Sequence, residues 1–245
     1  MAWVGDGGSV CLIYCEVNYI YDSNSDLPKK AVVFFADGAA IGMYAAAYED
    51  ARHRYSLPEI YIVGIANLQG VDASGMQRRS GEYLIGLQDR TAAFKAHENL
   101  FFQIKSSMID AMTMLTCPDC RVYIGGYSNG GDWAYTMAAR HTELFEGVIS
   151  LSMLSARAAA LYSPAQFRQK MFLAAGIYED VAQNLAAQIV DIRKNAELET
   201  ELCNAYTGHD MLLWSNALTV AYLWMLGNHE DFMEESKRTC IPPFP

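Results

Sequence analysis

Two hydrophobic patterns take turns along this chain. One is the short continuous apolar run: Ala31–Ala36, Glu59–Ala66, Arg121–Ile124, Gly147–Ser152 and Lys170–Ala175. Runs of this length suit central parallel strands covered on both faces. The other is apolar residues at helical spacing, over Ile41–Tyr55, Thr91–Leu115, Asp132–His141, Val181–Lys194 and Asp210–Gly227. In the second of these, Phe94, Phe101, Ile104, Met108, Met112 and Leu115 fall on one face. Residues 9–21 are rich in β-formers and read as one long or two short strands, and Leu202–Tyr206 as a last short strand. Asp22–Lys30 is a polar loop with a proline. Residues 67–90 form a long glycine-containing loop, of a length that is usually functional. The tail from Ile241 to Pro245 holds three prolines and is no regular element.

Strands alternating with helices imply parallel strands joined by crossover helices. The expected architecture is a three-layer α/β fold, a mostly parallel central sheet with helices on both faces. No internal repeat or linker divides the chain, so residues 1–245 read as one domain. The stretch 153–169 is long enough for a small cap-like insert. At 245 residues, 52% apolar and 19% charged, the chain can bury a sizeable core. Its formal net charge of −10 argues against nucleic acid as a partner. No apolar run approaches the length of a membrane span. No signal peptide is visible at the N-terminus, so the chain reads as cytoplasmic, or as one whose signal has been removed. A homo-oligomer is left open.

The sharpest chemical signal is Gly126-Tyr127-Ser128-Asn129-Gly130, which follows a strand and opens a helix. That is the setting of a nucleophile elbow. Ser128 would stand at the tip of a sharp turn, and the two glycines let strand and helix pass closely. The helix N-terminus brings free N–H groups beside the hydroxyl.

A serine nucleophile needs a base and an acid. In this kind of site the order is Ser, acid, His. Of the five histidines, His209 follows the last short strand, at the edge where parallel sheets form their sites. His229 reads instead as a solvent-facing or capping residue at a helix end. The acid should follow the preceding strand, where Glu179 and Asp180 both stand. Asp180 with Gln183 also reads as a helix N-cap with its capping-box partner, which favours Glu179. One oxyanion donor is the amide of Asn129. The second should come from Asp37–Ala40, with Ala39 preferred and Gly38 or Ala40 as alternatives.

Several pieces then line up in order. They are Asp37-Gly38 after a strand; Arg79-Ser80-Gly81-Glu82-Tyr83; His97 with Phe101-Phe102; Gly126 to Gly131; Phe145 to Ser152; and Gly208-His209-Asp210 with Trp214 beyond. Over roughly residues 30–227 the chain resembles the putative-esterase family of α/β-hydrolases, which includes S-formylglutathione hydrolase (esterase D), enterochelin esterases and feruloyl esterase modules. The resemblance implies an α/β-hydrolase fold and ester hydrolysis, with Ser128 as nucleophile, His209 as base and an acid at Glu179, where many members have Asp. It implies no metal or cofactor. Arg79 and Trp214 are the candidate substrate contacts; Arg79 also reads as an ion-pair partner of Glu82, pinning the loop. An acyltransferase would use the same residues, and a non-catalytic hydrolase-like binding protein is the contrasting reading. Cys117-Pro118-Asp119-Cys120 reads as a turn before the elbow strand, as structural cysteines or a local disulfide. Tyr44, Tyr48, Tyr83, Phe101 and Phe102 are either core or pocket aromatics.

Overall fold

A computed structural model describes residues 10–11, 18–22, 27–36, 40–65, 106, 108–115, 117–153 and 156–241, with the side chains of 10–11, 18–19, 156–157 and 211–214 left aside. Among the described residues, eight strands form one sheet. They are β1 (Val10–Cys11), β2 (Asn18–Asp22), β3 (Ala31–Phe35), β4 (Ile60–Ile65), β5 (Arg121–Tyr127), β6 (Gly147–Leu151), β7 (Lys170–Gly176) and β8 (Thr200–Ala205), in the spatial order β1-β2-β4-β3-β5-β6-β7-β8. β2 runs antiparallel to β1 and β4; all other pairings are parallel. Residues 9–21 thus contribute two strands.

The period-2 geometry of a strand sends alternate residues to opposite faces. In β3, Val32 and Phe34 enter one core cluster, and Ala31, Val33 and Phe35 the other. The first cluster takes in Trp133 and Met137 from α2 (Asn129–Arg140) and Leu185 and Ile189 from α4 (Asp180–Asn195). It also takes in Met108 and Ala111 from a helical segment over 108–114. The second holds Tyr44 and Tyr48 from α1 (Ile41–Arg54) and Leu218 and Tyr222 from α5 (Met211–Leu226). The sheet is therefore the middle of three layers. Tyr44 and Tyr48 are fully buried, so both belong to the core. Tyr44 stacks on Phe35 with ring centroids 3.9 Å apart, and its hydroxyl donates to the Ala36 carbonyl at 3.1 Å, bracing the end of β3.

Residues 153–169, expected as a cap-like insert, lead from β6 to β7. They include α3 (Ala156–Leu161), and Ala158 and Phe167 are buried in the first cluster. The fully buried Arg193, near the end of α4, ties down the second half of this stretch. Its guanidinium donates to the carbonyls of Pro164, Phe167, Gln169 and Glu199 and to Thr200 Oγ1, and it lies over the Phe167 ring. Burial pulls its pKa down to about 10, so it keeps its charge at neutral pH, held by acceptors that replace water.

Three features depart from the sequence expectations. A further helix, α6 (His229–Thr239), follows α5, and His229 opens it. Asn228 is its N-cap, accepting from the Asp231 amide at 2.9 Å, so His229 is no C-terminal cap, while its exposure agrees with the solvent-facing reading. Glu235 of α6 is buried at 1% exposure and accepts from Arg238, Tyr55 and Arg54, which anchors α6 to the end of α1. Secondly, the helix after the elbow starts at Asn129, three residues before the expected Asp132. Thirdly, beyond the local disulfide Cys117–Cys120 that the sequence allows in the turn before β5, the described residues hold a second, Cys203–Cys240, which joins β8 to the residue after α6. Beside the latter, the Ile241 amide donates to the Asn204 carbonyl at 2.7 Å.

Candidate active site

β5 ends in a turn that few residues tolerate. Ser128 sits at φ 55°, ψ −122°, a left-handed conformation that costs a non-glycine residue on the order of 1–3 kcal/mol. Its surroundings hold it there. The Ser128 amide donates to the Leu151 carbonyl at 2.8 Å, and the Asp132 amide to the Ser128 carbonyl at 3.1 Å. The crossing of strand and helix is so close that a Cβ on Gly126 would lie 2.2 Å from the Gly130 carbonyl oxygen. Asn129 then begins α2, whose first amides have no acceptor within the helix.

Three other strand ends supply the remaining groups. His209 follows β8, in a loop where Thr207 Oγ1 donates to Asp210 Oδ2 at 2.6 Å. Its Nε2 accepts from Ser128 Oγ–H at 3.0 Å. Its Nδ1 is hydrogen-bonded to Glu179 Oε1, which places the ring proton on Nδ1. Glu179 follows β7 at the N-cap position of α4, yet its side chain makes no capping bond. Instead its carboxylate, 4% exposed, turns toward the imidazole. Oε2 accepts from the Gly176 amide at 2.7 Å and from Ser152 Oγ–H at 2.8 Å. Both oxygens of a buried carboxylate are thereby satisfied. Asp180 is exposed and is the first residue of α4, not its N-cap, so the capping-box reading does not hold. Of the two candidate acids, Glu179 is the one that meets His209.

Gly176 permits the close approach of the two loops. A Cβ there would lie 2.3 Å from the Thr207 carbonyl oxygen and 2.9 Å from that of Gly208. Tyr127 completes the surroundings. Its ring lies 4.8 Å from the imidazole at 31°. Burial, then the Glu179 charge, push its hydroxyl pKa well above the ordinary phenol value, while an interaction with Ser152 opposes them. In the sequence Tyr127 lies within the elbow and Ser152 at the end of the Phe145–Ser152 run, but neither is given a role there.

Ser128, His209 and Glu179 are thus brought together, with the Asn129 amide beside Ser128 at the start of α2. Ala39, Gly38 and Arg79, with Glu82, Tyr83, His97, Phe101 and Phe102, lie outside the described residues. Trp214 lies in α5, and its side chain is likewise outside them. Ala40 precedes α1 as its N-cap residue. Among the described residues, no group of three or more His, Cys, Asp or Glu could hold a metal ion, and no helix is long and apolar enough to cross a membrane. A cleft of about 750 Å³ lined by Arg121, Tyr123, Lys170 and Glu199 opens at the other end of the strands and includes none of the three residues above.

No protein-family model and no curated protein sequence matches the chain. Solved structures do. An IroE-like serine hydrolase from Shewanella oneidensis superposes with a TM-score of 0.65 at 14% identity, over 84% of this chain and 73% of that one. A ferulic acid esterase gives 0.63 at 14%, over 84% and 90%. The siderophore hydrolase EstB from Aspergillus nidulans gives 0.63 at 12%, over 86% and 91%. At such identities the likeness is one of fold, and it agrees with the strand order and the antiparallel β2: the chain has the α/β-hydrolase fold.

Proposed function

We propose that the protein is a serine carboxylesterase, with Ser128 as nucleophile, His209 as general base and Glu179 as the acid that orients it. One observation carries the reading: the continuous hydrogen-bonded chain from Ser128 Oγ through both nitrogens of His209 to the buried carboxylate of Glu179. The fold neighbours support it, since several are named as serine hydrolases or esterases, one of them a fluorophosphonate-binding serine hydrolase from Staphylococcus aureus. An ester carbonyl carbon is attacked by Ser128 Oγ while His209 Nε2 takes the hydroxyl proton. The carbonyl oxygen becomes an oxyanion, held by the Asn129 amide and a second amide from Asp37–Ala40, with Ala39 preferred. Glu179 stays ionised and balances the imidazolium charge. His209 returns its proton to the leaving alkoxide, and the acyl group stays on Ser128. Water then repeats the sequence, with His209 as base, and the acid departs. Arg79 and Trp214 are proposed to contact the substrate.

The test is hydrolysis of p-nitrophenyl acetate, butyrate and octanoate by wild type, Ser128→Ala and His209→Ala. Turnover by the wild type and its near-complete loss in both variants is expected. A folded wild type that neither turns over nor is labelled by a fluorophosphonate overturns the reading.

A further inference from the structure

Ser152 is in an unexpected state. It follows β6 with φ 50°, fully buried, and its amide donates to the Ala174 carbonyl at 2.7 Å. Glycine would take this backbone without strain. What serine adds is one hydroxyl, and that hydroxyl is spent on Glu179 Oε2 at 2.8 Å. Four neighbouring strands now contribute to one network at their carboxyl ends. β5 supplies Tyr127 and Ser128, β6 is followed by Ser152, β7 ends in Gly176 and leads to Glu179, and β8 leads to His209.

We propose that Ser152 is a positioning residue that holds the second oxygen of Glu179, so that the first stays on His209 Nδ1 while His209 takes the proton from Ser128. The inference rests on the esterase reading above. A glutamate reaches the imidazole through one more rotatable bond than an aspartate. Its carboxylate can pivot about that bond, swinging Oε1 off Nδ1. The Gly176 amide is a single donor close in sequence to Glu179, and one point does not stop a rotation. Ser152 gives a second point, from a different strand. The Tyr127 ring packs beside the imidazole, with centroids 4.8 Å apart. No proton crosses to Ser152; it donates the same hydrogen bond throughout the cycle.

The test is Ser152→Gly, which suits the left-handed backbone and so keeps the fold. Its melting temperature should match or exceed that of the wild type, while kcat for p-nitrophenyl butyrate falls by about 10- to 100-fold and KM changes by less than about twofold. The discriminating readout is the same substitution in a Glu179→Gln background, followed by the rate of fluorophosphonate labelling. If Ser152 acts through the carboxylate, its removal there changes the rate by less than about twofold. A Ser152→Gly enzyme with wild-type kcat, or an equal loss in both backgrounds, overturns the inference while the esterase reading stands. A folded wild type inert to both ester and fluorophosphonate overturns both.

Discussion

Gly176→Ala tests whether two loops must touch for the site to exist. The added methyl would start 2.3 Å from the Thr207 carbonyl oxygen and 2.9 Å from that of Gly208. Both are backbone atoms, so no rotamer relieves the clash. An ordinary carbon–oxygen contact requires the Thr207–His209 loop to retreat by about 1 Å. His209 sits on that loop with Nε2 3.0 Å from Ser128 Oγ, and a retreat of that size ends the hydrogen bond. Misplacement by about 1 Å costs about 100-fold in rate, and forcing a methyl into a packed site costs about 1–3 kcal/mol. For a chain of this size that lowers the melting temperature by about 2–12 °C. The Gly176 N–H to Glu179 survives the substitution, so the effect is steric. The assay pairs kcat/KM on p-nitrophenyl butyrate with thermal melting. Activity within about threefold of wild type, in a protein that melts as expected, would refute the claim that loop contact sets the position of His209.

Three further outcomes are expected. Glu179→Gln should lower kcat by about ten-thousandfold, as loss of the orienting carboxylate does in such triads, while exposed Asp180→Asn stays within about twofold; esterase assays of both variants check it. Replacing Cys203 and Cys240 together by Ser should cost up to about 4 kcal/mol, given a sequence separation of 37, and is read as the shift in a urea unfolding midpoint. Burial alone would raise the Glu235 pKa, but hydrogen bonds from Arg238, Tyr55 and Arg54 outweigh it and bring the group down from 4.5 to about 2. A depressed folded-state pKa gives stability that is present above the unfolded value and lost as pH falls. Melting temperature should therefore drop between about pH 4.5 and 2, and Glu235→Gln should be less stable at neutral pH with a flatter profile in that window.

Much of the architecture was legible because the central strands are apolar on both faces, as in Ala31–Phe35, and so stand out as runs. The elbow was legible because two glycines, a serine and the flanking elements must coincide. α6 was not: its residues are nearly all polar, and Phe232 and Glu235 alone are buried. A helix fixed by a buried ion-pair cluster leaves little hydrophobic period to read. Glu179 and Asp180 are adjacent, and only the precise start of α4 separates a carboxylate facing the imidazole from one facing solvent. Ser152 reads only as the end of the Phe145–Ser152 run; its positive φ after β6 arises from the sheet around it, so its contact with Glu179 was not legible. The Cys203–Cys240 pairing likewise depends on where α6 returns, which spacing in the chain does not tell.

That return has a consequence for association. Among the described strands β8 is the last in the sheet, and its outer side would otherwise offer a row of amides and carbonyls as a template for a strand of another molecule. Ile241 occupies part of that row by bridging Asn204, and the Cys203–Cys240 bond beside it keeps the segment from peeling away. The covalent link thus holds a stopper in the open side of the sheet. Under reducing conditions the first change should be the uncovering of a sticky strand, so turbidity on storage would rise well before the fold itself is lost.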